Sequence, residues 1–390
     1  MTVSSITGRA LESECEDGRV KFQTDESQAR PQSDVVLYRA ATDLRMISGL
    51  DRDSEKEIQL ISELVDRSVP ARKSPERLIR VPGLIITPDR DARYHPPSKI
   101  TSDVMERLAQ RVPFAKSLPT TLVLVAHPDD EAIGAGGLLA GLPDAVVAHV
   151  TDGAPRDVRY AQSRGFQTRE EYARARRREV VNALAHVGIT PDRCRDFGYV
   201  DGEASMQLLE LVFDVADLMD EVRPDIVFTH PYEGGHSDHD ATAFAVHLAC
   251  GILRRDNVPT PLVLELTSYH NYSGERRVFS FLPFIGADER TIQLTDAEKS
   301  LKKRMYQEFA SQRQVLERFP IDLERFRPAP RYVFTKAPHE GQLDYERFCT
   351  TITGAQWRLN AGKALDALRT RRRRFVQAPG LGYSARRKID

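Results

Sequence analysis

The chain has 390 residues, of which 41% are hydrophobic and 29% are charged, and its formal net charge is -1. This composition is typical of a globular protein with a sizeable core. A net charge close to zero excludes a protein that binds nucleic acid through an overall positive charge. The four cysteines (Cys15, Cys194, Cys250 and Cys349) form no C-x-x-C pair, so reduced thiols in a cytoplasmic protein are expected. No apolar run approaches the length of a membrane span, and the polar N-terminus carries no secretory signal.

An N-terminal extension is predicted over residues 1–117. Residues 1–35 are rich in Ser, Thr, Glu, Asp and Gln, which predicts partial disorder. Apolar residues recur at helical spacing over 54–69, and a second, short helix is predicted over 102–112. The extension is expected to pack on the domain that follows it.

An α/β domain is predicted over residues 118–345. Apolar runs predict strands at 121–126, 145–150, 225–230 and 262–268. Amphipathic helices are predicted at 168–186 and 206–222, and another carries an apolar stripe from Ala241 to Ile252. Because strands alternate with helices, and because these strands are apolar throughout, we predict a Rossmann-like, mostly parallel sheet with helices on both faces.

The remaining elements are predicted to be peripheral. A charged surface helix is expected over 296–319, and one more strand over 331–335. Residues 346–390 are predicted to form a C-terminal helical segment and a basic tail. Basic runs of this kind are usually solvated, although contact with phosphate or an acidic partner is left open.

The most informative motif is His127-Pro128-Asp129-Asp130-Glu131, which directly follows the first predicted strand. Carboxylates gathered at the edge of a core either raise their pKa or bind a cation. A divalent metal beside a spare carboxylate is typical of a hydrolase, because the metal acidifies water and the carboxylate accepts its proton. From the residues alone, one of Asp129 and Asp130 binds the metal and the other is the base.

A second polar cluster, from His230 to Asp240, follows the predicted strand at 225–229. Ser237 and Asp240 resemble a capping box, which predicts His239 in the first turn of a helix and His236 just before it. The carboxyl ends of parallel strands lie at one edge of a sheet, so the two clusters are expected to meet there. Imidazole and carboxylate together suit zinc or another first-row divalent ion, and three protein ligands would mark a catalytic site.

The two motifs, Ala126 to Glu131 and Gly235 to His239, resemble those of the PIG-L/LmbE-like deacetylases. The resemblance extends over roughly residues 119–345 and includes Thr151-Asp152-Gly153 after the second strand. It implies a metal-dependent enzyme that removes acetyl from an N-acetylglucosamine-type group. The implied cofactor is Zn²⁺, with Fe²⁺ as the alternative.

The resemblance also implies roles for individual residues. The implied metal ligands are His127, Asp130 and His239. Asp129 is the implied general base, His236 the residue that assists the tetrahedral intermediate, and Asp238 the acid that orients it. An arginine among 176–178 is implied to contact the substrate, with Arg177 and Arg178 as the assigned pair. The loop after the fourth strand adds Tyr269 and His270 as candidate pocket residues.

The expected substrate is a small amino-sugar-containing molecule or glycoconjugate, with no nucleic-acid partner. One alternative is a metal-dependent amidase or esterase that acts on a non-sugar substrate. A non-catalytic metal-binding protein is a third hypothesis, which the spare Asp129 argues against because a structural zinc site has four protein ligands and needs no base. The sequence does not indicate the oligomeric state.

Overall fold

The computed structural model describes residues 99–110, 119–284, 287–348 and 352–370, together with short strand segments before residue 87. The chain divides into two compact units, Met1–Arg77 and Leu78–Asp390. The first unit contains two antiparallel strand pairs, Val3–Ser4 with Ala10–Leu11 and Cys15–Glu16 with Arg19–Val20. The second unit begins with a third pair, Ile79–Val81 with Leu84–Ile86. The helix predicted over 54–69 and the basic tail after Thr370 lie outside the described residues, and the proposed three-region division stays a prediction.

A seven-stranded sheet forms the centre of the second unit. Its parallel strands are β1 (Thr121–Val125), β2 (Val146–Pro155), β3 (Cys194–Asp201), β4 (Ile226–Thr229) and β5 (Leu262–Leu266). A hairpin of β6 (Tyr269–Tyr272) and β7 (Glu275–Val278) follows, and β8 (Arg290–Gln293) and β9 (Leu323–Pro328) complete the sheet. The strand order is β8-β9-β5-β4-β1-β2-β3, and β9 is antiparallel to both of its neighbours.

Helices cover both faces of this sheet. They are α1 (Lys99–Gln110), α2 (Asp130–Leu139), α3 (Val158–Ser163), α4 (Arg169–Ala185), α5 (Leu208–Val222), α6 (Ser237–Arg255), α7 (Asp296–Glu308), α8 (Arg313–Leu316) and α9 (Gly354–Thr370). None of the helices in the described part of the chain has the length and apolar character needed to cross a membrane. The predicted α/β fold with a mostly parallel sheet is confirmed.

Alternate residues of β1 show how the two faces are built. Leu122 and Leu124 belong to a core formed with α5, α6 and α9, whereas Val123 and Val125 belong to a core formed with α1, α2, α4 and α7. Successive side chains of a strand point to opposite faces, so a strand covered on both sides must be apolar at every position. All five residues of β1 are buried, which is why this strand was recognisable as a continuous apolar run.

The helix predicted over 296–319 is wrong in length and in exposure. Helix α7 ends at Glu308, and Phe309, which is 0% exposed, leaves helical geometry with φ -84 and ψ 62. Ser311 then donates from its backbone N–H and its hydroxyl to the Glu179 carboxylate, at 2.8 and 2.6 Å. Burial of Phe309 and these two hydrogen bonds break the helix. The helix is not simply a surface element, because Lys302 is completely buried.

The strand predicted over 331–335 is also wrong, since these residues form coil and a turn. Four strands in the described part of the chain beyond β5, and β3 before it, were not predicted. Strand β3 alternates buried and exposed positions at the edge of the sheet, so it lacks the continuous apolar signal of the central strands. Charged residues in β9, such as Glu324 and Arg327, are buried because each forms an ion pair.

Helix α9 attaches the C-terminal segment to the start of α6. Trp357 on α9 is completely buried among aromatic residues, and its indole N–H donates to the carbonyl of Ser237 at 3.0 Å. Ser237 is the first residue of α6, so the indole of Trp357 is fixed against the first turn of this helix. The C-terminal helix is therefore part of the core that supports the start of α6.

Candidate active site

The two predicted motifs meet at the centre of the sheet. Strands β1 and β4 are adjacent and parallel, with Val123 opposite Phe228. From β1 the chain enters α2 on one face, and from β4 it enters α6 on the other face. This divergence is the topological switch point of a doubly wound sheet, where a crevice opens beyond the carboxyl ends of the strands.

His127, Asp130 and His239 form a compact group in this crevice. Their candidate ligand atoms all lie within 4.8 Å of one another. The two carboxylate oxygens of Asp130 face the two imidazoles, at 3.2 Å from Nδ1 of His127 and 3.3 Å from Nε2 of His239. Nε2 of His239 is buried and has no hydrogen-bond partner in the described structure. A buried lone pair aimed at a carboxylate is satisfied by a cation, so these residues fit a divalent metal.

The ionisation of two of these residues, His239 and Asp130, also suits a metal. At His127, burial lowers the pKa, but Asp201, Asp130 and Asp238 outweigh it and raise the pKa well above its usual value. Burial, together with the nearby His230, lowers the pKa of His239 to about 3, so its imidazole is neutral at pH 7. Burial opposes ionisation of Asp130, but His239 and His230 outweigh it and hold the pKa of this carboxyl well below its usual value. Neutral imidazole and ionised carboxylate are the forms that bind first-row divalent ions.

His230 completes this arrangement and was missed as a site residue. Its ring stacks on that of His239, with centroids 3.9 Å apart and planes 5° from parallel. Its Nε2 accepts the backbone N–H of Ala126 at 3.0 Å and lies 3.3 Å from Asp130. His230 therefore joins the two motifs. The sequence could have indicated His230 as a site residue, because it is the first residue after β4 and so lies at the carboxyl edge of the sheet.

The second nitrogen of His127 faces two carboxylates. Its Nε2 lies 3.3 Å from Asp201 and 3.3 Å from Asp238. Asp238 in turn accepts backbone N–H groups from Gly202 at 2.6 Å and Ala204 at 3.1 Å, so its position is rigid. A carboxylate behind a metal-binding imidazole orients the ring and sets which nitrogen carries the proton. Asp201 was missed because it ends β3, the strand that was not predicted.

Asp129 is held in a strained conformation. Its φ of 142 is unusual for a residue with a side chain, and such strain persists only where the surroundings hold it. Glu131 accepts its N–H at 3.0 Å, and Glu131 is fixed in turn by His149 at 2.9 Å. Arg176 donates to its carboxylate at 3.1 Å and to the carbonyl of Pro128. Burial raises the pKa of Asp129 to about 8 although Arg176 opposes the shift.

The resemblance implied that Asp238 orients His236, and in the structure these two side chains form a long contact at the distance limit of an ion pair. The Asp238 carboxylate lies 4.0 Å from Nδ1 of His236. That nitrogen also accepts the backbone N–H of Asp238 at 3.2 Å. Burial, with a contribution from His127, lowers the pKa of His236 to about 4. His236 is therefore neutral at pH 7, with its proton on Nε2. The capping box predicted for Ser237 is corrected, since His236 itself caps α6.

A cavity of about 330 Å³ opens over these residues. It is lined by His127, Asp129, Asp130, Ile133, Tyr160, Arg176, Asp201, His236, His239, Tyr269, Arg276, Gln312, Val315, Arg318, Phe319 and Phe348. Of the predicted substrate-binding residues, the structure brings only Tyr269 to this cavity.

The other predicted substrate-binding residues lie elsewhere. Arg177 donates to the carbonyl of Cys194 at 2.8 Å, and Arg178 is exposed on the outer face of α4. His270 is buried beside Glu233, 3.2 Å from its carboxylate. Successive helical residues point about 100° apart, so only one arginine of the three can face the cavity. Tyr172 and Val180 bury that face of α4, and Arg176 lies midway between them.

Both motifs lie in a region of the chain that matches a known protein family. Residues 122–250 match the family model described as PIG-L, GlcNAc-PI de-N-acetylase. A probable N-acetyl-alpha-D-glucosaminyl L-malate deacetylase 2 of Bacillus cereus is 30% identical over 151 residues, which cover 37% of this chain and 67% of that protein. The chain belongs to the PIG-L family.

Two further relatives describe the extent of this likeness. The protein of the same name from Bacillus subtilis (strain 168) is 29% identical over 150 residues, 37% of this chain and 67% of its own. The crystal structure of the A40926 pseudoaglycone deacetylase Dbv21 superimposes with a TM-score of 0.42 at 20% identity, over 54% of this chain and 97% of that chain. The PIG-L match covers both motifs and leaves the extension and α9 unmatched.

The close approach of the second PIG-L motif to β6 yields a stability prediction. A Cβ at Gly235 would overlap the carbonyl oxygen of Tyr269, which is backbone and cannot rotate away. We expect Gly235→Ala to lower the free energy of unfolding by about 1 to 3 kcal/mol, as overpacking does. Gly251→Ala is the matched control, because the space around Gly251 on α6 is open and alanine favours a helix by up to about 1 kcal/mol. Urea denaturation checks both, and equal stability of the two variants would contradict the packing argument.

The pairing of Arg176 with Asp129 yields a pH prediction. Arg176 opposes the burial-induced rise in the pKa of Asp129, so its removal raises that pKa further. A general base acts when deprotonated, and we therefore expect the acid limb of the kcat profile of Arg176→Gln to move to higher pH. Arg177→Gln is the control, since Arg177 bonds to a sheet carbonyl instead. An unmoved acid limb in Arg176→Gln would show that Arg176 does not act through Asp129.

Proposed function

We propose that this PIG-L family member is a metal-dependent hydrolase that removes an N-acetyl group from an amino-sugar-containing substrate. The observation that carries the proposal is a spare, buried carboxylate, Asp129, beside a group of two imidazoles and one carboxylate at the floor of an open cavity. A structural metal site would need a fourth protein ligand and no base. A hydrolytic metal site instead needs three protein ligands, a free carboxylate as the base, and space for water and substrate.

His127, Asp130 and His239 are the residues that would hold the ion, which we propose to be Zn²⁺, with Fe²⁺ as the alternative. When bound, such an ion supplies Lewis acidity, which polarises an acyl oxygen and acidifies water. Asp201 and Asp238 orient His127 through its Nε2, at 3.3 Å each. His230 supports His239 by stacking and holds the two motifs together through Ala126.

Asp129 is the proposed general base and then the proton donor. Its carboxylate accepts a proton from the water that attacks the acetyl carbonyl, and the same proton is delivered to the departing amine as the carbon–nitrogen bond breaks. One water is consumed, and acetic acid, which ionises to acetate, and the free amine are released. Arg176 keeps the carboxylate of Asp129 in place at 3.1 Å and limits the rise in its pKa.

His236 is the proposed donor to the developing oxyanion. Its Nδ1 accepts the Asp238 N–H at 3.2 Å, so a neutral His236 presents an Nε2–H donor to the cavity that it lines. A neutral donor of this kind stabilises negative charge that develops only in the transition state. This role differs from that of a protonated imidazole, because burial lowers the pKa of His236 to about 4.

The amino-sugar substrate is supported by the relatives and by the cavity. The matched Bacillus proteins are named as deacetylases of an N-acetylglucosaminyl malate. The cavity of about 330 Å³ is at the small end of ligand sites and suits a monosaccharide with a small substituent. Its aromatic walls include Tyr160, Tyr269 and Phe348, and sugars present apolar faces that pack on such rings. The cytoplasmic location stays a prediction.

An acetate-release screen tests the proposal. The purified chain is stripped of metal, reloaded with Zn²⁺ or Fe²⁺, and supplied with N-acetylated sugars, glycosides and sugar-bearing metabolites. We expect stoichiometric acetate and free amine from an N-acetylglucosamine derivative, and loss of this activity on chelation. Hydrolysis confined to non-sugar amides or to esters would replace the proposal with the alternative hydrolase. No metal-dependent hydrolysis of any of these substrates would overturn it.

A further inference from the structure

The charged residues that line the cavity differ in their exposure. The acidic side chains that line it, Asp129, Asp130 and Asp201, all belong to the floor, where the metal group lies. Of the three arginines that line the cavity, Arg176 is buried and pairs with Asp129, whereas Arg276 and Arg318 are exposed. A substrate whose acetyl group reaches the floor can place its remaining part near these two exposed cations.

Arg318 has the clearest capacity to bind a ligand. It lies just after α8, beside Phe319, and it lines the cavity. In the described part of the protein it forms no ion pair or side-chain hydrogen bond with a carboxylate. An arginine without such a partner, exposed at the mouth of a cavity, can donate two parallel hydrogen bonds to a carboxylate or phosphate.

Arg276 is held at the same cavity by its neighbours. Its guanidinium stacks on the ring of Tyr269 at 4.2 Å from the centroid, and its Nε lies 3.4 Å from Asp344. Stacking and this single pairing fix the plane of the guanidinium while its Nη groups remain for a ligand. Tyr269 connects this cation to the floor, because its ring lies 5.4 Å from that of His239. The ring of Phe319 lies 6.0 Å from that of Tyr269, on the side of Arg318.

We propose that Arg276 and Arg318 form an anion subsite, which selects amino sugars whose non-reacting substituent carries a carboxylate or phosphate. This inference rests on the proposed function and narrows its substrate class. The aromatic rings of Tyr269 and Phe319 pack on the sugar, and the two guanidinium groups bind the anionic substituent. The acetyl group of the same molecule is thereby directed to the floor of the cavity. The subsite acts on binding and orientation and takes no part in proton transfer.

A matched pair of substrates tests the subsite. The carboxymethyl and carbamoylmethyl glycosides of N-acetylglucosamine have nearly the same shape and differ in charge. We expect kcat/KM of the metal-loaded enzyme to be about 10-fold or more higher for the carboxymethyl glycoside, in one of its anomers. Only this compound can form charge-assisted hydrogen bonds with both arginines. N-acetylglucosamine 1-phosphate, compared with the methyl glycoside, distinguishes a phosphate from a carboxylate as the preferred anion. The preference should fall as salt is raised, because the arginines are exposed.

Single substitutions of Arg276 and Arg318 test whether these residues cause the preference for the anionic glycoside. We expect Arg276→Gln and Arg318→Gln each to raise KM for the anionic glycoside about 3- to 10-fold, with kcat and the neutral glycoside unaffected. The controls are Arg277→Gln on the same hairpin, where Arg277 pairs with Glu275 at 2.7 Å, and Arg313→Gln on α8. Neither control residue lines the cavity.

The outcomes separate this inference from the proposed function. Equal kcat/KM for the charged and neutral glycosides, or a preference that both arginine variants retain, overturns the anion subsite and leaves the deacetylase proposal standing. Absence of acetate release from all four compounds and from the broader screen overturns the proposed function itself. Loss of activity on the neutral glycoside in Arg276→Gln, with an unchanged unfolding temperature, would assign Arg276 to general binding of the sugar and contradict its role in selecting anions.

Discussion

Asp129→Asn is expected to lower kcat by about 10²- to 10⁴-fold, the range that a general base contributes, while the protein keeps its metal. The amide cannot accept the proton of water, but it has nearly the same shape as the carboxylate. Asparagine branches in the same way as aspartate, so the strained backbone at φ 142 costs no more with it and should persist. Steady-state kinetics and metal analysis of the same preparation measure the two effects.

A fall in kcat without loss of metal would show that the substitution removes the base and does not disrupt the metal site. Asp129 lies beside the proposed ligand Asp130, and a general disturbance of the loop would release metal and lower stability together with kcat. An unchanged thermal unfolding transition and full metal content therefore serve as the control. If Asp129→Asn turned over at the wild-type rate, Asp129 would not be the base, and the carboxylate of Asp201, which also lines the cavity, would be examined next.

His239→Ala is expected to remove metal and activity together. Loss of an outer partner of a metal ligand typically weakens affinity about 10- to 100-fold, and loss of a direct ligand should exceed that range. Removal of this imidazole also leaves the Asp130 oxygen that faces it, at 3.3 Å, without its partner. Metal content after dialysis against a weak chelator measures the first effect, and acetate release measures the second.

Thermal unfolding supplies a readout that does not depend on activity. A ligand that binds only the folded state raises the unfolding temperature, so Zn²⁺ should stabilise the wild-type protein and fail to stabilise His239→Ala. His236→Ala is the matched control from the same loop, because it should retain the metal response and lose turnover. Equal stabilisation of His239→Ala and wild type by Zn²⁺ would remove His239 from the ligand set.

The main elements of the site were accessible from the sequence because they follow a strong local pattern. A continuous apolar run marks a strand covered on both faces, and the residue after such a run lies at the carboxyl edge of the sheet. This reasoning brought the two motifs together, and the family resemblance then assigned His127, Asp130 and His239, which the structure groups within 4.8 Å. The same reasoning did not recover Asp201, since β3 is an edge strand whose buried and exposed positions alternate.

The arginines of α4 show a second limit of local patterns. A run of three arginines indicates a cation near the site, but the rotation of the helix decides which of them faces it. Burial of Tyr172 and Val180 sets that rotation and turns Arg176 towards Asp129, whereas Arg178 is exposed. The four-residue spacing of Tyr172, Arg176 and Val180 contained this information.

By itself, the sequence determined the doubly wound α/β fold, the meeting of the two motifs and the residues suited to a divalent metal, because each depends on the periodicity of a segment and on the edge to which it leads. Only the tertiary structure decided that Asp238 supports His127, that His230 stacks on His239 and that His236 is neutral. These properties depend on which atoms from distant segments approach within hydrogen-bonding distance and on how completely water is excluded around them. The spacing of residues along the chain does not determine either the approach of distant atoms or the exclusion of water.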